Sequence, residues 1–300
     1  MTYKTSSNGK ILFTSEYVVL KGALALALPT KFKQSLIFEQ NNSNKLLWKS
    51  YNYENKIWFQ CEILLPNLDF INCSDKKIGK TLQSILHSAK KINPNFLSKN
   101  NGGVLKTKID FPNDWGLGSS STLINNIAKW SKTNPYKLLW SNFKGSGYDI
   151  ACADRINPIL YKLENKTPVI KEISFNPLFS ENLFFIHLNK KQNTNKEISV
   201  FITKNIPTKL INIFSDLTKK IISANNLKDF QSCIKKHEQI LSKELLIDPI
   251  KKILFKDYQG EIKSLGAWGG DFILAAGPID SLSYFKKKGF TTIIPFKEMF

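Results

Sequence analysis

Residues 112–122 combine the residue types and spacing best suited to hold an anion in this chain of 300 residues. They are Pro-Asn-Asp-Trp-Gly-Leu-Gly-Ser-Ser-Ser-Thr, and they lie between a predicted strand and a predicted helix. The two glycines let the backbone approach a ligand closely. The serines follow at the start of the helix, where free N–H groups and the helix dipole favour a phosphate. A glycine turn followed by a serine N-cap has the same pattern, so the segment alone does not establish a phosphate site.

Two better-known phosphate signatures are absent from the sequence. Residues 79–81, Gly-Lys-Thr, match the end of a Walker A loop, but Ser74 occupies the position of its first glycine. Gly116 and Gly118 are not followed by the third glycine of a dinucleotide-binding turn, because Ser121 occupies that position. Residues 112–122 therefore indicate a different kind of phosphate loop.

A second segment, residues 145–153, contains a carboxylate among glycines: Gly-Ser-Gly-Tyr-Asp-Ile-Ala-Cys-Ala. Taken alone, Asp149 in such a turn is more often a turn or capping residue than a catalyst. Its chemistry depends on which other residues the fold brings beside it.

Hydrophobic periodicity predicts the elements that must position these segments. Apolar residues at helical spacing predict amphipathic helices at 78–89, 210–221 and 227–241, and a further helix begins after Gly118. Residues 10–20 and 23–28, separated by Gly22, indicate either two apolar strands or a strand and a turn. Apolar or alternating runs predict strands at 32–38, 46–51, 57–65, 104–109, 159–163, 169–173, 183–188, 272–276 and 291–294. The mixture predicts an α+β protein of two domains, with the boundary near residue 180.

Three segments together resemble the motifs of the GHMP kinases, the superfamily of galactokinase, homoserine kinase, mevalonate kinase and phosphomevalonate kinase. Residues 112–120 match its second motif, Pro-x-x-x-Gly-Leu-Gly-Ser-Ser. Residues 8–22 resemble the first motif, with Asn8 in place of a proline and Ser15 in place of a glycine. Residues 263–271 resemble the glycine-rich third motif, with departures at Leu265 and Trp268. Three motifs in order across nearly the whole chain are far more specific than any one of them.

The resemblance implies a two-domain GHMP kinase fold. Residues 1–180 are expected to form an ATP-binding domain like ribosomal protein S5 domain 2, and residues 181–300 a ferredoxin-like domain. It also implies that Lys10 and Asp149 are catalytic. In that role Asp149 accepts or orients the proton of the attacking group, while the Lys10 ammonium holds it ionised and neutralises phosphoryl charge.

The remaining site residues follow from the same resemblance. The ATP phosphates are expected on Gly116, Leu117, Gly118, Ser119, Ser120 and Ser121. Mg²⁺ is expected at Ser120. The residues expected to contact the substrate are Glu16, Ser146, Gly147, Thr194, Lys196, Gly266, Gly269 and Gly270. Mevalonate kinases carry a metal-binding glutamate about eleven residues before the aspartate, but residues 138–142 hold no carboxylate. Metal binding would then rest on Ser120, the phosphates and water, which Mg²⁺ tolerates.

The acceptor is expected to be a mevalonate-pathway compound of isoprenoid biosynthesis. Glu16-Tyr17, the residues around Asp149, and Gly269-Gly270-Asp271 look more like phosphomevalonate kinases. The string Gly-Tyr-Asp-Ile-Ala also resembles a GHMP group of Bacteroidetes named after it. Mevalonate kinase, another GHMP small-molecule kinase and a non-catalytic nucleotide-binding paralogue remain alternatives, the last because of the missing glutamate and the altered third motif.

The formal charge of +19 comes almost entirely from lysine, since Arg155 is the only arginine. Nucleic-acid readers are expected to carry arginines for bidentate contacts, so scattered lysines favour an ordinary solvated surface that attracts an anionic substrate. An RNA-associated protein is a weaker alternative. The four cysteines lack zinc-site spacing, and the apolar runs are too short to span a bilayer. We expect a cytoplasmic monomer or homodimer that binds neither nucleic acid nor membrane.

Overall fold

A computed structural model describes residues 1–41, 43–190, 201, 203–266, 268 and 270–300. Contacts divide the chain into two compact units. The first unit comprises Met1–Gly9, Phe32–Asn113 and Leu117–Asp154; the second comprises Lys10–Lys31, Asp114–Gly116 and Arg155–Phe300. Both units are discontinuous in sequence, and the functional division at residue 180 stays a prediction.

The described strands include two long ones near the N-terminus and several short ones in the second unit. Their bounds are β1 Thr2–Leu12, β2 Ala25–Gln40, β3 Lys45–Tyr51, β4 Ile57–Leu64, β5 Asp69–Ile71, β6 Gly103–Ile109, β7 Ile159–Glu164, β8 Thr167–Glu172, β9 Leu183–His187, β10 Glu261–Ser264, β11 Phe272–Ala276 and β12 Ile293–Pro295.

The described α-helices fall into two groups along the chain. Their bounds are α1 Lys76–Ile92, α2 Ser119–Ser131, α3 Pro135–Asn142, α4 Tyr148–Ala153, α5 Thr208–Ile222, α6 Leu227–Leu245, α7 Ile250–Leu254, α8 Ser281–Lys287 and α9 Phe296–Met299. None of the helices in the described ranges is both long enough and apolar enough to cross a lipid bilayer.

The first unit is a sheet covered by four helices. Its strands run in the order β5-β4-β3-β6-β2, with β3 and β6 parallel and the other neighbours antiparallel. Helices α1 to α4 pack beside one another. The core between sheet and helices includes Trp48, Leu105, Leu82, Ile124 and Ile150, each at most 4% exposed. This packing sets the direction in which α2 and α4 begin.

The second unit contains an antiparallel sheet in the order β10-β11-β9-β12. Ala25–Ala27 of β2 pair with β7, which in turn pairs with β8. Helices α5 and α6 pack on each other, and α6 packs against β10. One apolar core of this unit includes Ile186, Phe255, Ile273 and Phe285, each at most 1% exposed. The molecule is therefore of the predicted α+β class.

Two kinds of helix N-terminus differ in how they use the backbone donors of the first turn. Asp75, Asn134 and Asn226 each accept hydrogen bonds from N–H groups in the first turn of α1, α3 and α6. Such Asx caps satisfy backbone donors that the helix itself leaves unpaired. Helices α2 and α4 instead begin at Gly118 and Gly147, with φ of 90° and 87° and no side-chain cap.

Residues 10–20 continue as a strand only as far as Leu12, so the interpretation of the whole run as one strand is wrong. The chain turns at Ser15 and Tyr17, both with φ of 62°, and enters a 3-10 helix at Val18–Lys21 that Gly22 ends. The apolar residues of this stretch are buried on all sides, so their run does not reveal the turn. The backbone N–H of Ser15 bonds to the side chain of His237, 222 residues away. A contact of that range is not visible in local periodicity.

Candidate phosphate-binding site

The start of α2 presents backbone donors. Gly118 is its N-cap in a left-handed conformation, with φ of 90° and ψ of 41°, and provides no side chain to cap the first turn. Thr122 donates its N–H to the Gly118 carbonyl at 3.0 Å, so the N–H groups of residues 119–121 precede the first such bond of the helix. Ser120 is exposed and Ser119 is half-buried. This end of α2 has the dipole and the donors that favour an anion.

The third serine faces inward. The Ser121 hydroxyl donates to the Gly118 carbonyl at 2.8 Å, and its side chain is buried. Thr122 donates to the Gln34 side chain at 2.5 Å. The Thr122 hydroxyl holds the helix start on β2, and the Ser121 hydroxyl closes the first turn onto Gly118. Of the predicted phosphate serines, only Ser119 and Ser120 therefore have hydroxyls at or near the surface.

Residues of all three sequence motifs meet at Gly116, within the second unit. Lys10 Nζ donates to the Gly116 carbonyl at 2.8 Å. On the other side, a Cβ added to Gly116 would lie 2.4 Å from Asp271 Oδ2. Gly116 also has φ of 64°, so both its conformation and its surroundings require glycine. Lys10 comes from the first motif and Asp271 from the third, and the phosphate loop passes between them.

Aromatic packing holds the residues that lead into this glycine. The Trp115 ring contacts Phe272 of β11, with centroids 5.4 Å apart, and His187 at the end of β9, at 6.5 Å. His187 Nε2 also lies 3.1 Å from the carbonyl oxygen of Asp114. Side chains of β9 and β11 in the second unit thus hold residues 114–116 in place. Sequence reasoning missed His187, because its contacts with Asp114 and Trp115 arise only from its position at the end of β9.

Asp271 itself has an unusual backbone. Its φ is 51°, its N–H donates to the Lys190 carbonyl at 2.8 Å, and its carbonyl accepts the Leu188 N–H at 2.8 Å. The two backbone hydrogen bonds fix Asp271 in the left-handed conformation. Its side chain therefore points in a different direction from that of a residue in an extended strand. This places the carboxylate against Gly116, a contact that the sequence analysis did not foresee.

Asp149 lies in the first turn of α4, in the same unit as Ser119 and Ser120. Its Oδ1 accepts the N–H of Ile150 at 3.1 Å. Helix α4 packs against α2, and Asn125 of α2 donates to Asp154 at the end of α4 at 2.7 Å. The structure therefore brings the helix of the predicted catalytic aspartate against the helix of the phosphate loop.

The turn before Asp149 is tightly enclosed. A Cβ on Gly147 would lie 3.1 Å from the Tyr136 ring, and Gly147 has φ of 87°. Ser146 is 4% exposed. The predicted substrate contacts of Ser146 and Gly147 stay predictions. In the structure Gly147 lets the chain pass close beneath Tyr136 into α4.

Glu16 is buried in the interior of the second unit, with only 1% of its surface exposed. Lys263 Nζ donates to its Oε1, and His237 Nε2 lies 3.4 Å from its Oε2. Burial raises the pKa of Glu16, while the charge of Lys263 acts in the opposite direction. The structure pairs Glu16 with Lys263, and its predicted contact with a substrate stays a prediction.

The other predicted substrate residues are only partly described. Gly266 has φ of 61° with nothing within 4 Å of an added Cβ, and Gly270 is buried. Thr194, Lys196 and Gly269 lie outside the described residues.

The donors available for Mg²⁺ are few. In the part of the chain that the structure describes, no three His, Cys, Asp or Glu side chains come together to hold a metal ion. Asn142 lies in the stretch that lacks a carboxylate. Its Nδ2 donates to the Leu138 carbonyl at 2.9 Å, and its Oδ1 accepts a hydrogen bond from the Ser84 hydroxyl at 2.7 Å. The exposed Ser120 hydroxyl fits a Mg²⁺ that arrives with a nucleotide and keeps phosphate and water ligands.

Comparison with known proteins finds similarity to solved structures but none to family models or curated sequences. The Methanococcus jannaschii mevalonate kinase is similar at a TM-score of 0.68 and 17% identity, over 96% of this chain and 94% of that chain. Streptococcus pneumoniae phosphomevalonate kinase, in complex with phosphomevalonate and AMPPNP, is similar at 0.66 and 16%, over 96% and 95%. The chain has the GHMP kinase fold.

The same likeness extends to a sugar kinase. Lactococcus lactis galactokinase complexed with galactose is similar at a TM-score of 0.64 and 15% identity, over 95% of this chain and 88% of that chain. Kinases of different acceptors are thus about equally similar to this chain. The fold that the three motifs implied is confirmed, and it does not distinguish among acceptors.

Proposed function

We propose that this protein is an ATP-dependent phosphotransferase of the GHMP kinase type, which transfers a γ-phosphoryl group to a small-molecule acceptor. The observation that carries the proposal is the meeting of Lys10 and Asp271 at Gly116. Three motifs distant in sequence are brought to one glycine of a loop that leads into an uncapped helix. A glycine turn with a simple serine cap would require none of these contacts.

The residues have distinct parts in this reaction. The N–H groups at the start of α2 bind the ATP phosphates, and Lys10 adds a positive charge beside Gly116. Ser120 would hold Mg²⁺, which would supply further neutralisation of the phosphate charge. Asp149 orients the attacking group and accepts its proton where it has one. Catalysis would come mainly from positioning and charge neutralisation, as phosphoryl transfer requires.

We favour an acceptor that is already phosphorylated, such as phosphomevalonate. The net charge of +19 suits an anionic acceptor. The sequence around Asp149 resembles phosphomevalonate kinases and the Gly-Tyr-Asp-Ile-Ala group, and one similar structure holds phosphomevalonate. Because a phosphate nucleophile is already acidic, Asp149 would then orient the acceptor more than remove a proton. Mevalonate and sugars are the alternative acceptors.

An ADP-release assay tests the proposal with ATP, Mg²⁺ and four separate acceptors: mevalonate, phosphomevalonate, homoserine and galactose. We expect turnover with one of them, phosphomevalonate first. Lys10→Met should remove most of it, whereas Lys4→Met, an exposed lysine of the same strand, should leave it intact. Full turnover in both Lys10→Met and Asp149→Asn would overturn the assignment.

One observation favours a second candidate, a non-catalytic nucleotide-binding paralogue. Residues 138–142 offer no carboxylate, and the Asn142 amide is occupied by α1 and α3. ATP binding by calorimetry without ADP release on any acceptor would support this candidate. A cytoplasmic location, a monomeric or dimeric state and the lack of nucleic-acid binding also stay predictions.

A further inference from the structure

Helix α6 carries two adjacent buried polar residues, His237 and Glu238, at 0% and 3% exposure. His237 Nε2 accepts the N–H of Ser15 at 2.9 Å. This bond stabilises Ser15 in its left-handed conformation, five residues after Lys10. Because Nε2 is the acceptor, the single ring proton of the neutral imidazole lies on Nδ1. His237 therefore holds the segment that carries Lys10.

Glu238 holds a second segment. Its Oε2 accepts the Ser264 hydroxyl at 3.0 Å, and Ser264 is the last residue of β10, two positions before Gly266. Lys263 Nζ donates to the Ser264 carbonyl at 2.9 Å and to Glu16. The first-motif and third-motif segments are thus joined to each other by Glu16 and Lys263, and each is also held by α6. All these residues belong to the second unit.

The charges of this cluster balance in only one state. The groups that act on Glu238 are Lys263, Glu16 and Ser264. His237, its neighbour on α6, is the other titratable group beside Lys263. Burial and the nearby Lys263 hold the pKa of His237 well below its usual value, so the ring is neutral. With both carboxyls ionised, one lysine would face two negative charges inside a buried cluster. An uncompensated buried charge is costly, whereas a neutral Glu238 leaves one ion pair.

The oxygen atoms agree with this balance. Glu238 Oε1 and Glu16 Oε2 are buried and accept no hydrogen bond from the described residues. Among the described residues, Glu16 has the charged donor Lys263 at its other oxygen, whereas Glu238 has only neutral donors, those of Ser264. Glu238 is therefore the carboxyl whose negative charge is less compensated. Burial raises the pKa of Glu238, the charge of Lys263 lowers it and that of Glu16 raises it, and together with the Ser264 hydrogen bonds these effects bring the pKa to about 8.

We propose that Glu238 is a positioning residue that works as a neutral carboxylic acid and lets α6 hold the segments of Lys10 and Asp271 at Gly116. Its loss of a proton puts an unpaired charge into the cluster and loosens both segments. The effects on ATP binding and catalysis rest on the proposed function; the effect on folding does not. The folded protein holds this proton more tightly than the unfolded chain, so stability falls as the pH rises towards and through about 8.

Glu238→Gln tests the proposal, with Glu244→Gln on the same helix as the matched control. The folding equilibrium constant is compared between pH 7 and pH 9. In the wild type and in Glu244→Gln it should fall about tenfold more than in Glu238→Gln. The ATP dissociation constant of the wild type should rise roughly fivefold or more over the same range, and that of Glu238→Gln less than twofold. Where an acceptor is found, kcat should lose its alkaline limb in Glu238→Gln with little change in acceptor KM.

Equal pH dependence in all three proteins would overturn the proposal, even if no acceptor is ever phosphorylated. If Glu238→Gln does not fold, infrared spectroscopy of the wild type decides the matter. The carbonyl band of a protonated carboxyl should be present at pH 7 and gone at pH 9. Absence of that band at pH 7 would equally contradict a neutral Glu238.

Discussion

Four helices of the first unit begin in two different ways. Helices α1 and α3 begin at Asp75 and Asn134, whose side chains accept N–H groups of the first turn. Helices α2 and α4 begin at Gly118 and Gly147, which have positive φ and no side chain to offer. A capped helix uses its terminal donors within the chain. The uncapped pair carries the predicted phosphate loop and the predicted catalytic aspartate, so the comparison separates helix starts that stabilise the fold from those available to function.

The largest effect should come from α4. Asp149→Asn keeps the shape of the first turn but removes the negative charge, so we expect kcat to fall about 10²- to 10⁴-fold. The ATP dissociation constant should change less than about threefold, because Asp149 lies outside the phosphate loop. Steady-state ADP release and calorimetry measure the two quantities. A larger loss of ATP binding than of kcat would place Asp149 in the nucleotide site instead.

Glycine substitutions at the two uncapped starts should differ from each other. Gly118→Ala places a Cβ on a left-handed residue, at a cost of about 1–2 kcal/mol, and should weaken ATP binding at least about tenfold. Gly147→Ala adds a contact with the Tyr136 ring and should cost roughly 1–3 kcal/mol of stability with a smaller effect on ATP. Urea unfolding measures the stability of each variant, and calorimetry measures its ATP dissociation constant. Equal changes in the ATP dissociation constant would show that the two helix starts do not differ in function.

A capped start should show the opposite pattern. Asn134→Ala removes two hydrogen bonds to the N–H groups of Tyr136 and Lys137, and should cost about 1 kcal/mol of unfolding free energy. ATP binding and turnover should stay within error of the wild type. Asp75→Ala at α1 is the parallel variant. A selective loss of ATP binding in either would show that capped helices also serve the site.

The smallest effects should separate two neighbouring serines of α2. Ser121→Ala loses a hydrogen bond to Gly118 and should cost about 0.5–1.5 kcal/mol. Ser120→Ala, at an exposed position, should leave stability unchanged and raise the Mg²⁺ concentration for half-maximal activity a few-fold. Activity measured against Mg²⁺ concentration provides the test. A greater Mg²⁺ effect at Ser121 would argue against Ser120 as the metal ligand.

Much of the fold was predictable because its signals are local. The apolar spacing of residues 210–221 and 227–241 predicts α5 and α6, and the paired runs at 159–163 and 169–173 predict β7 and β8. The short helices α3 and α4 were missed, since eight and six residues hold too few turns for periodicity to be visible.

Only the local part of the candidate site was predictable from the sequence. The glycines and serines of the phosphate loop could be found because their chemistry depends on neighbours in sequence. The position of Glu16 could not, because its partner Lys263 lies 247 residues away. Nor could the role of Asp271, whose side chain reaches Gly116 only through a left-handed backbone that two long-range bonds hold.

A crystal structure with the ATP analogue AMPPNP would show whether the start of α2 binds the triphosphate. We predict that the triphosphate accepts hydrogen bonds from the backbone N–H groups of residues 118–121 and that Lys10 stays at Gly116. A triphosphate bound elsewhere, with those N–H groups facing water or protein, would show that residues 116–121 are not the phosphate-binding loop.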